Sequence, residues 1–216
     1  MIYNIAIDGT SGAGKSTIAK ILADKLGIVY LDTGAMYRAI AIKLDKYKAS
    51  YSDDKKIAKI IGDTKLEIIM GIPQKVMLDG VDVSEAIREH HVSKLASDYS
   101  AVPIVRKKLV EIQQRIAADQ STILDGRDIG THVLPNAKYK FFVSASPSVR
   151  AKRRYDELVA KGQDVNLAQI EADIVDRDTK DSTREVSPLR PASDAVVIDT
   201  SYMSIDEVVN TIMGHM

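Results

Sequence analysis

The stretch Ile5-Ala6-Ile7-Asp8-Gly9-Thr10-Ser11-Gly12-Ala13-Gly14-Lys15-Ser16-Thr17 constrains this chain more than any other. It matches G-x-x-x-x-G-K-[ST] residue for residue, and a short apolar run precedes it. After it, Ile18, Ile21, Leu22 and Leu26 fall on one helical face that stops at Gly27. Strand, glycine loop and helix together form the setting in which this pattern holds phosphate. Gly9, Gly12 and Gly14 let backbone N–H groups turn inward where a Cβ would obstruct them. Those amides and the helix N-terminus suit the β-phosphate of a nucleoside triphosphate, with Gly9 through Thr17 as the loop that holds it. Lys15 is expected to bridge the β- and γ-phosphates, and the Ser16 hydroxyl to ligate Mg²⁺.

At 216 residues the chain is long enough for one α/β core with small insertions. Thirty basic and thirty acidic residues cancel, which argues against a general nucleic-acid binder. The absence of cysteine excludes disulfides, thiol nucleophiles and Cys-based zinc sites, and suits a reducing cytoplasm. No apolar run approaches membrane-spanning length, and the N-terminus lacks a basic-then-apolar leader. A soluble cytoplasmic protein without nucleic-acid or membrane partners is expected. Neutral charge favours a monomer.

Ile28–Leu31 reads as a second strand, ending at Asp32 and opening a helix with Met36, Ile40 and Leu44 inward. Arg38 points away from that stripe. It also follows the C-terminal end of a strand, where α/β sheets bind ligands, so a solvated arginine and a ligand-contacting one fit equally. Residues 52–62 read as a short helix. Leu66, Ile68 and Met70 then alternate, and Val76 and Leu78 lead through Asp79-Gly80 into Val81 and Val83, a hairpin signal. An antiparallel subdomain is expected there, with Ser84 capping the helix after it.

His90 and His91 are adjacent and cannot face one metal together; both are expected to be surface or internally satisfied histidines. Val92, Leu95, Ala96 and Tyr99 form a helical stripe beside Ser97, and Pro103 opens a helix burying Val105, Leu109, Ile112 and Ile116. Thr122–Asp125 is the third strand of the main sheet. The acidic Asp125 at its end is the usual companion of a phosphate loop, orienting Mg²⁺ directly or through water. Arg127 and Asp128 follow in a charged loop.

Residues 139–143 form the fourth strand, and Ser146-Pro147 caps a helix carrying Arg150, Lys152, Arg153 and Arg154. Asn166 and Gln169 resemble a capping box. Beyond them Arg177, Asp181 and Arg184 recur at i, i+4 and i+7. A surface salt-bridge ladder and a mobile lid bringing cations to the transferring phosphate fit that spacing equally. Ala195–Ile198 is the fifth strand, and Ser204 with Glu207 boxes a last helix. Five apolar strands separated by helices imply an α/β fold, a parallel sheet covered on both faces.

A phosphate loop alone allows kinases, GTPase switches, motors and transport ATPases. No N-K-x-D guanine-reading element is present. Arginines instead recur at ligand-facing positions: Arg38, Arg106, Arg127, Arg153, Arg154, Arg177 and Arg184. Two phosphorylated substrates that must approach one another require such an excess of positive charge.

On these residues the chain resembles the bacterial cytidylate kinases of the nucleoside-monophosphate kinase group. The resemblance is carried by the phosphate loop and Asp32-Thr33-Gly34-Ala35-Met36-Tyr37-Arg38. Asp125-Gly126-Arg127-Asp128-Ile129-Gly130-Thr131, Arg177 through Arg184, and Pro188-Leu189 with Asp194-Ala195 extend it. It covers nearly the whole chain, with one departure: Thr10 stands where the family commonly has proline.

The resemblance implies a three-layer P-loop kinase fold as a single domain over 1–216. Its core would be 1–64 and 84–216, with a monophosphate-binding insert about 65–83 and a helical lid about 153–186. It implies transfer of phosphate from ATP to CMP and dCMP, with Mg²⁺. Thr33, Tyr37, Arg38 and Arg127 are implied around the acceptor, and Ser97, Arg106 and Asp128 at the cytosine. Arg177 and Asp181 are implied at the sugar, Arg184 near base and phosphates, and Arg153 and Arg154 on the ATP phosphates. Lys15 and these phosphate-facing arginines make up the implied catalytic set.

The base assignment has its own logic. A carboxylate such as Asp128 accepts from the cytosine amino group but repels uracil O4, while Arg106 donates to O2 and N3. A kinase of another small acceptor, such as shikimate, and a non-catalytic nucleotide switch are the readings to be distinguished. The hairpin insert and the 97/106/128 trio argue against the first, and transfer to CMP would exclude the second.

Overall fold

The computed structural model describes residues 2–71 and 74–216, with the side chain of His90 outside the described residues. The expectation for that histidine therefore lies outside them too. His91 is exposed, 3.5 Å from the Glu89 carboxylate.

Five strands form one parallel sheet in the order β2-β6-β1-β7-β8, where β1 is Asn4–Gly9, β2 Val29–Asp32, β6 Thr122–Gly126, β7 Tyr139–Ser144 and β8 Val196–Asp199. Strands β1 and β6 are largely buried, with Ile5, Ala6 and Ile7 of β1 wholly inaccessible, whereas β8 at the sheet edge leaves Val197 exposed. The three remaining strands, β3 (Leu66–Ile69), β4 (Lys75–Leu78) and β5 (Val81–Asp82), pair antiparallel in the order β3-β4-β5. Asp79 and Gly80 join β4 to β5 with φ of 51° and 83°. Positive φ at both central residues is the tight hairpin that an Asp-Gly pair favours.

The chain divides into two compact units. One comprises Tyr3–Ile28 and Ile123–Met216. It holds β1, β6, β7 and β8 with four helices: α1 (Lys15–Leu26), α6 (Pro147–Ala160), α7 (Leu167–Thr183) and α8 (Ile205–Gly214). Helix α1 packs on α8, and α6 on α7. Ser146 caps α6 by accepting from the Val149 amide. Ser204 and Glu207 close a reciprocal capping box on α8. Asn166 accepts from the Gln169 amide at the start of α7.

The other unit is built from Val29–Thr122. Its helices are α2 (Thr33–Lys46), α3 (Asp54–Gly62), α4 (His90–Tyr99) and α5 (Pro103–Asp119). The antiparallel sheet packs on α2 through Val76 and Leu66 against Ala35 and Ala39. Ser84 does not cap a helix. Its hydroxyl accepts from the Val76 amide, tying the strand end, and the 3-10 turn Ala86–Arg88 begins without a side-chain cap.

Among the described residues no helix is long and apolar enough to cross a membrane.

Gly9 ends β1 where β1 pairs with β7, opposite Val143. Its φ is +144°, and a Cβ there would lie 1.8 Å from the Val143 carbonyl oxygen. No side chain can be accommodated without parting the two strands. Gly9→Ala should therefore lower the unfolding free energy by at least about 3 kcal/mol in urea titrations. A loss below about 1 kcal/mol would show that the strands separate easily.

Candidate active site

The phosphate loop leaves β1 and enters α1 through Gly14, whose φ of 85° places it in the left-handed region. Lys15 is buried and folds back so that Nζ donates to the Thr10 carbonyl at 2.6 Å. Burial and the nearby Arg127 press the Lys15 ammonium well below the usual lysine range, against the opposing pull of Asp125, Asp8 and Asp181. The Ser16 hydroxyl donates to Asp125 Oδ2 at 2.6 Å. Asp125 reaches that position because β6 carries it to the C-terminal end of a fully buried strand. The two residues predicted around Mg²⁺ are thus in direct contact.

Asp8, within β1, was not distinguished by sequence reasoning. Its two carboxylate oxygens accept from the Ile129 amide at 2.8 Å and the Gly130 amide at 2.7 Å. These bonds hold a single π-helical turn, Ile129–Val133, immediately after Arg127 and Asp128. The conspicuous signal is a carboxylate directly after the buried apolar run Ile5-Ala6-Ile7 of the same strand. Burial pushes the Asp8 pKa up to about 6, because the two amides and Lys15 offset desolvation and the like charge of Asp128 only in part.

Three arginines from separate segments converge on one buried carboxylate, Asp181 of α7. Arg127 Nε donates to Asp181 Oδ2 at 2.8 Å. Arg177 Nε lies 3.9 Å from Oδ2 and Arg184 Nη1 4.0 Å from Oδ1. Arg184 also donates to the Ser187 carbonyl at 2.6 Å and pairs with Asp128 at 3.5 Å. Helix α7 ends at Thr183, so Arg184 belongs to the segment beyond it. Burial disfavours the Asp181 charge, but Arg127, Arg177 and Arg184 outweigh it and hold the carboxyl below the usual range. Burial likewise opposes the Arg127 charge, and Asp181, Asp125 and Asp178 overcome it, raising its pKa.

Arg153 and Arg154 are engaged elsewhere. The first donates to the Thr200 carbonyl at 2.8 Å, and the second to Glu157 at 2.9 Å on the surface of α6. Arg150 of the same helix, which the sequence did not set apart, is almost wholly buried. It lies eight residues before the buried Leu158, a core-facing helical spacing that could have revealed it.

In the second unit Asp32 caps α2, accepting from the Ala35 amide at 2.8 Å. Its other oxygen pairs with Arg38 at 3.4 Å and with Arg88 at 3.1 Å, the latter absent from the sequence-based set. Thr33 is buried on the first turn of α2, and Arg38 follows one turn later. Arg106 is 2 % exposed, its guanidinium carbon 5.7 Å from the Tyr37 ring centroid, and it donates to the Ser100 carbonyl at 3.3 Å. An aromatic face helps stabilise a buried guanidinium charge. Ser97 sits half-buried on α4, which packs on α2.

A glycine-rich loop between strand and helix, with guanidinium groups held near a buried carboxylate, is the arrangement found in P-loop kinases. Solved structures agree at the level of fold. A shikimate kinase from Bacteroides thetaiotaomicron aligns with a TM-score of 0.50 and 12% identity, covering 100% of this chain and 98% of that one. A protein from Eubacterium ventriosum aligns with a TM-score of 0.51 and 13% identity, covering 100% and 98%.

Sequence narrows the class. The cytidylate kinase family model matches residues 5–216, and the chain belongs to that family. It is 51% identical over 211 residues to the cytidylate kinase of Caldicellulosiruptor bescii, 97% of this chain and 93% of that protein. It is 48% identical over 211 residues to that of Bacillus subtilis, 97% and 94% of the two lengths. The chain is accordingly an enzyme of the nucleoside-monophosphate kinase class.

The fold raises the Asp8 pKa, so between about pH 4 and 6 the native state binds this proton more readily than the unfolded chain. The stability Asp8 contributes is full below the unfolded pKa and is lost as pH rises through about 6. Relative to Asp8→Asn, the wild-type protein should gain up to about 3 kcal/mol between pH 7 and pH 4 in urea unfolding. Parallel profiles for the two proteins would contradict this.

Proposed function

We propose that the chain transfers the γ-phosphoryl group of ATP to CMP and dCMP, yielding CDP or dCDP and ADP, as a cytoplasmic monomer in pyrimidine nucleotide metabolism. An acceptor phosphate oxygen bonds to the γ-phosphorus while the bond to the β–γ bridging oxygen breaks and ADP departs. The observation that carries this reading is the gathering of Arg127, Arg177 and Arg184 on Asp181 in the unit that bears the phosphate loop. Such a cluster keeps positive charge in place for phosphate oxygens without reorganisation at the moment of transfer.

Mg²⁺ fits the residues present. One hydroxyl, Ser16, and one carboxylate, Asp125, touch at 2.6 Å. Among the described residues no trio of His, Asp or Glu could hold a metal by itself. Mg²⁺ takes few protein ligands and completes its shell with phosphates and water, so this small donor set suits it. When bound, the ion would neutralise charge on the β- and γ-phosphates. Ser16 would ligate it directly, and Asp125 would hold one of its waters.

Lys15 leaves the Thr10 carbonyl for the β- and γ-phosphates in this scheme. Thr33, Tyr37, Arg38 and Arg127 surround the acceptor, the arginines chiefly at its phosphate. Asp128 accepts from the cytosine amino group, Arg106 donates to O2 and N3, and Ser97 completes that set. Arg177 and Asp181 hold the sugar, with Arg184 nearby. Arg153 and Arg154 belong to the lid, about 153–186, and would turn from Thr200 and Glu157 to the ATP phosphates. The antiparallel sheet within 65–83 serves as the monophosphate-binding insert.

Steady-state assays with Mg·ATP test the proposal. CMP and dCMP should be phosphorylated with kcat/KM about 10⁴-fold above UMP, because uracil leaves buried polar groups unpaired. Comparable turnover of UMP, or ATP binding without CDP formation, would overturn it. Lys15→Ala should reduce kcat about 10²-fold or more with any acceptor, whereas Arg127→Ala should act mainly through the acceptor's KM. Identical kinetics for the two variants would refute the division of roles.

A further inference from the structure

Arg150 is the bulkiest of the fully buried side chains. A guanidinium group cannot shed its charge, so burial to this degree demands full pairing. Its Nε donates to the Ala145 carbonyl at 2.7 Å, its Nη1 to the Ser11 carbonyl at 3.0 Å and its Nη2 to Asp178 Oδ2 at 2.6 Å. These bonds reach three segments: the end of β7, the phosphate loop and α7. The loop packs on the arginine stem at Gly12, where a Cβ would sit 3.5 Å from Arg150 Cβ, an ordinary contact distance.

Asp178 depends on this contact. Its other oxygen is buried without a hydrogen-bond partner among the described residues. Removing the arginine would strand a carboxylate, which costs far more than the pair gains. The preceding residue, Arg177, donates to the Ser11 hydroxyl at 3.4 Å. Ser11 is therefore held through its carbonyl by Arg150 and through its hydroxyl by α7. Helix α7 is itself held by Arg150 through Asp178.

We propose that Arg150 is a positioning residue that couples the phosphate loop to α7. By fixing the Ser11 carbonyl it keeps the neighbouring amides aimed at the donor phosphates. By fixing Asp178 it sets the position of Arg177 and Asp181, and of Arg184 beyond the helix end. The inference rests on the kinase reading of this site. It adds a residue that contacts neither nucleotide yet governs both halves of the transfer geometry, where a displacement of about 1 Å can cost 10²-fold in rate.

The test separates the two arms. Asp178→Asn weakens the grip on α7 and leaves Arg150 on the loop, so kcat for CMP should fall about tenfold while the Kd for Mg·ATP changes less than twofold. Arg150→Met releases both, so Mg·ATP should bind at least about fivefold more weakly and kcat should fall as well. Arg150→Lys keeps a point charge without the fork and should fall between. Adding Asp178→Asn to Arg150→Met should cost nothing further, since the residues act as one unit.

Unchanged kcat in Asp178→Asn, with only a lower Tm, would reduce the pair to a structural strut and overturn the proposal. So would independent, multiplying losses. If Arg150→Met fails to fold, the kcat and Kd split in Asp178→Asn still decides. The Kd is read by titrating Mg·ATP without acceptor. Wild-type protein that binds Mg·ATP yet makes no CDP would therefore defeat the proposed function alone, and the Kd comparison across variants would still judge the coupling.

Discussion

The interaction on which the rest depends is charge compensation among the cations beside the phosphate loop. The unit bearing the phosphate loop gathers Lys15, Arg127, Arg150, Arg177 and Arg184, and each is met by a carboxylate or by backbone carbonyls. Left unpaired in a low-dielectric interior, these cations would repel one another and oppose folding. Asp181, Asp128 and Asp178 supply that compensation. They hold the arginines in place, so in the proposed function a bound phosphate would exchange one set of anionic partners for another rather than order flexible side chains. This is electrostatic preorganisation built from the fold itself.

Two solutions to arginine burial appear in the molecule. Each nitrogen of Arg150 has a partner, one carboxylate and two backbone carbonyls, in keeping with the proposed coupling role. Arg106, in the second unit, lies against the Tyr37 ring and donates to the Ser100 carbonyl. An aromatic face attracts a cation through the quadrupole of its ring. The first arrangement ties separate segments of the chain together, and the second sets the cation against an aromatic ring.

The features legible in the sequence were those set by neighbours along the chain. The phosphate loop, the Asp-Gly turn, the caps at Ser146 and Ser204 and the five main-sheet strands depend on local spacing, and each lies where the pattern placed it. What escaped depends on partners far along the chain. The π-helical turn at 129–133 exists because Asp8 accepts from its amides across more than a hundred residues. Arg150 resembled its neighbours Lys152, Arg153 and Arg154 until Ser11 and Asp178 were seen to enclose it. Ser84 had the composition of a cap but was taken by the Val76 amide across the sheet. Arg88 offered no periodic cue, and only the fold brings it to Asp32.

The central claim is that the arginines paired with Asp181 are the groups that receive substrate phosphate and sugar. Nuclear magnetic resonance of arginine Nε–Hε groups, followed as CMP is titrated into the protein with a non-hydrolysable Mg·ATP analogue present, addresses it directly. The account predicts that the signals of Arg127, Arg177 and Arg184 shift together and saturate with a common dissociation constant, while that of Arg154 on the surface of α6 follows the analogue and not CMP. Signals from the three that stay fixed at saturating CMP would contradict it, because their pairing with Asp181 would then be permanent architecture rather than a site held ready.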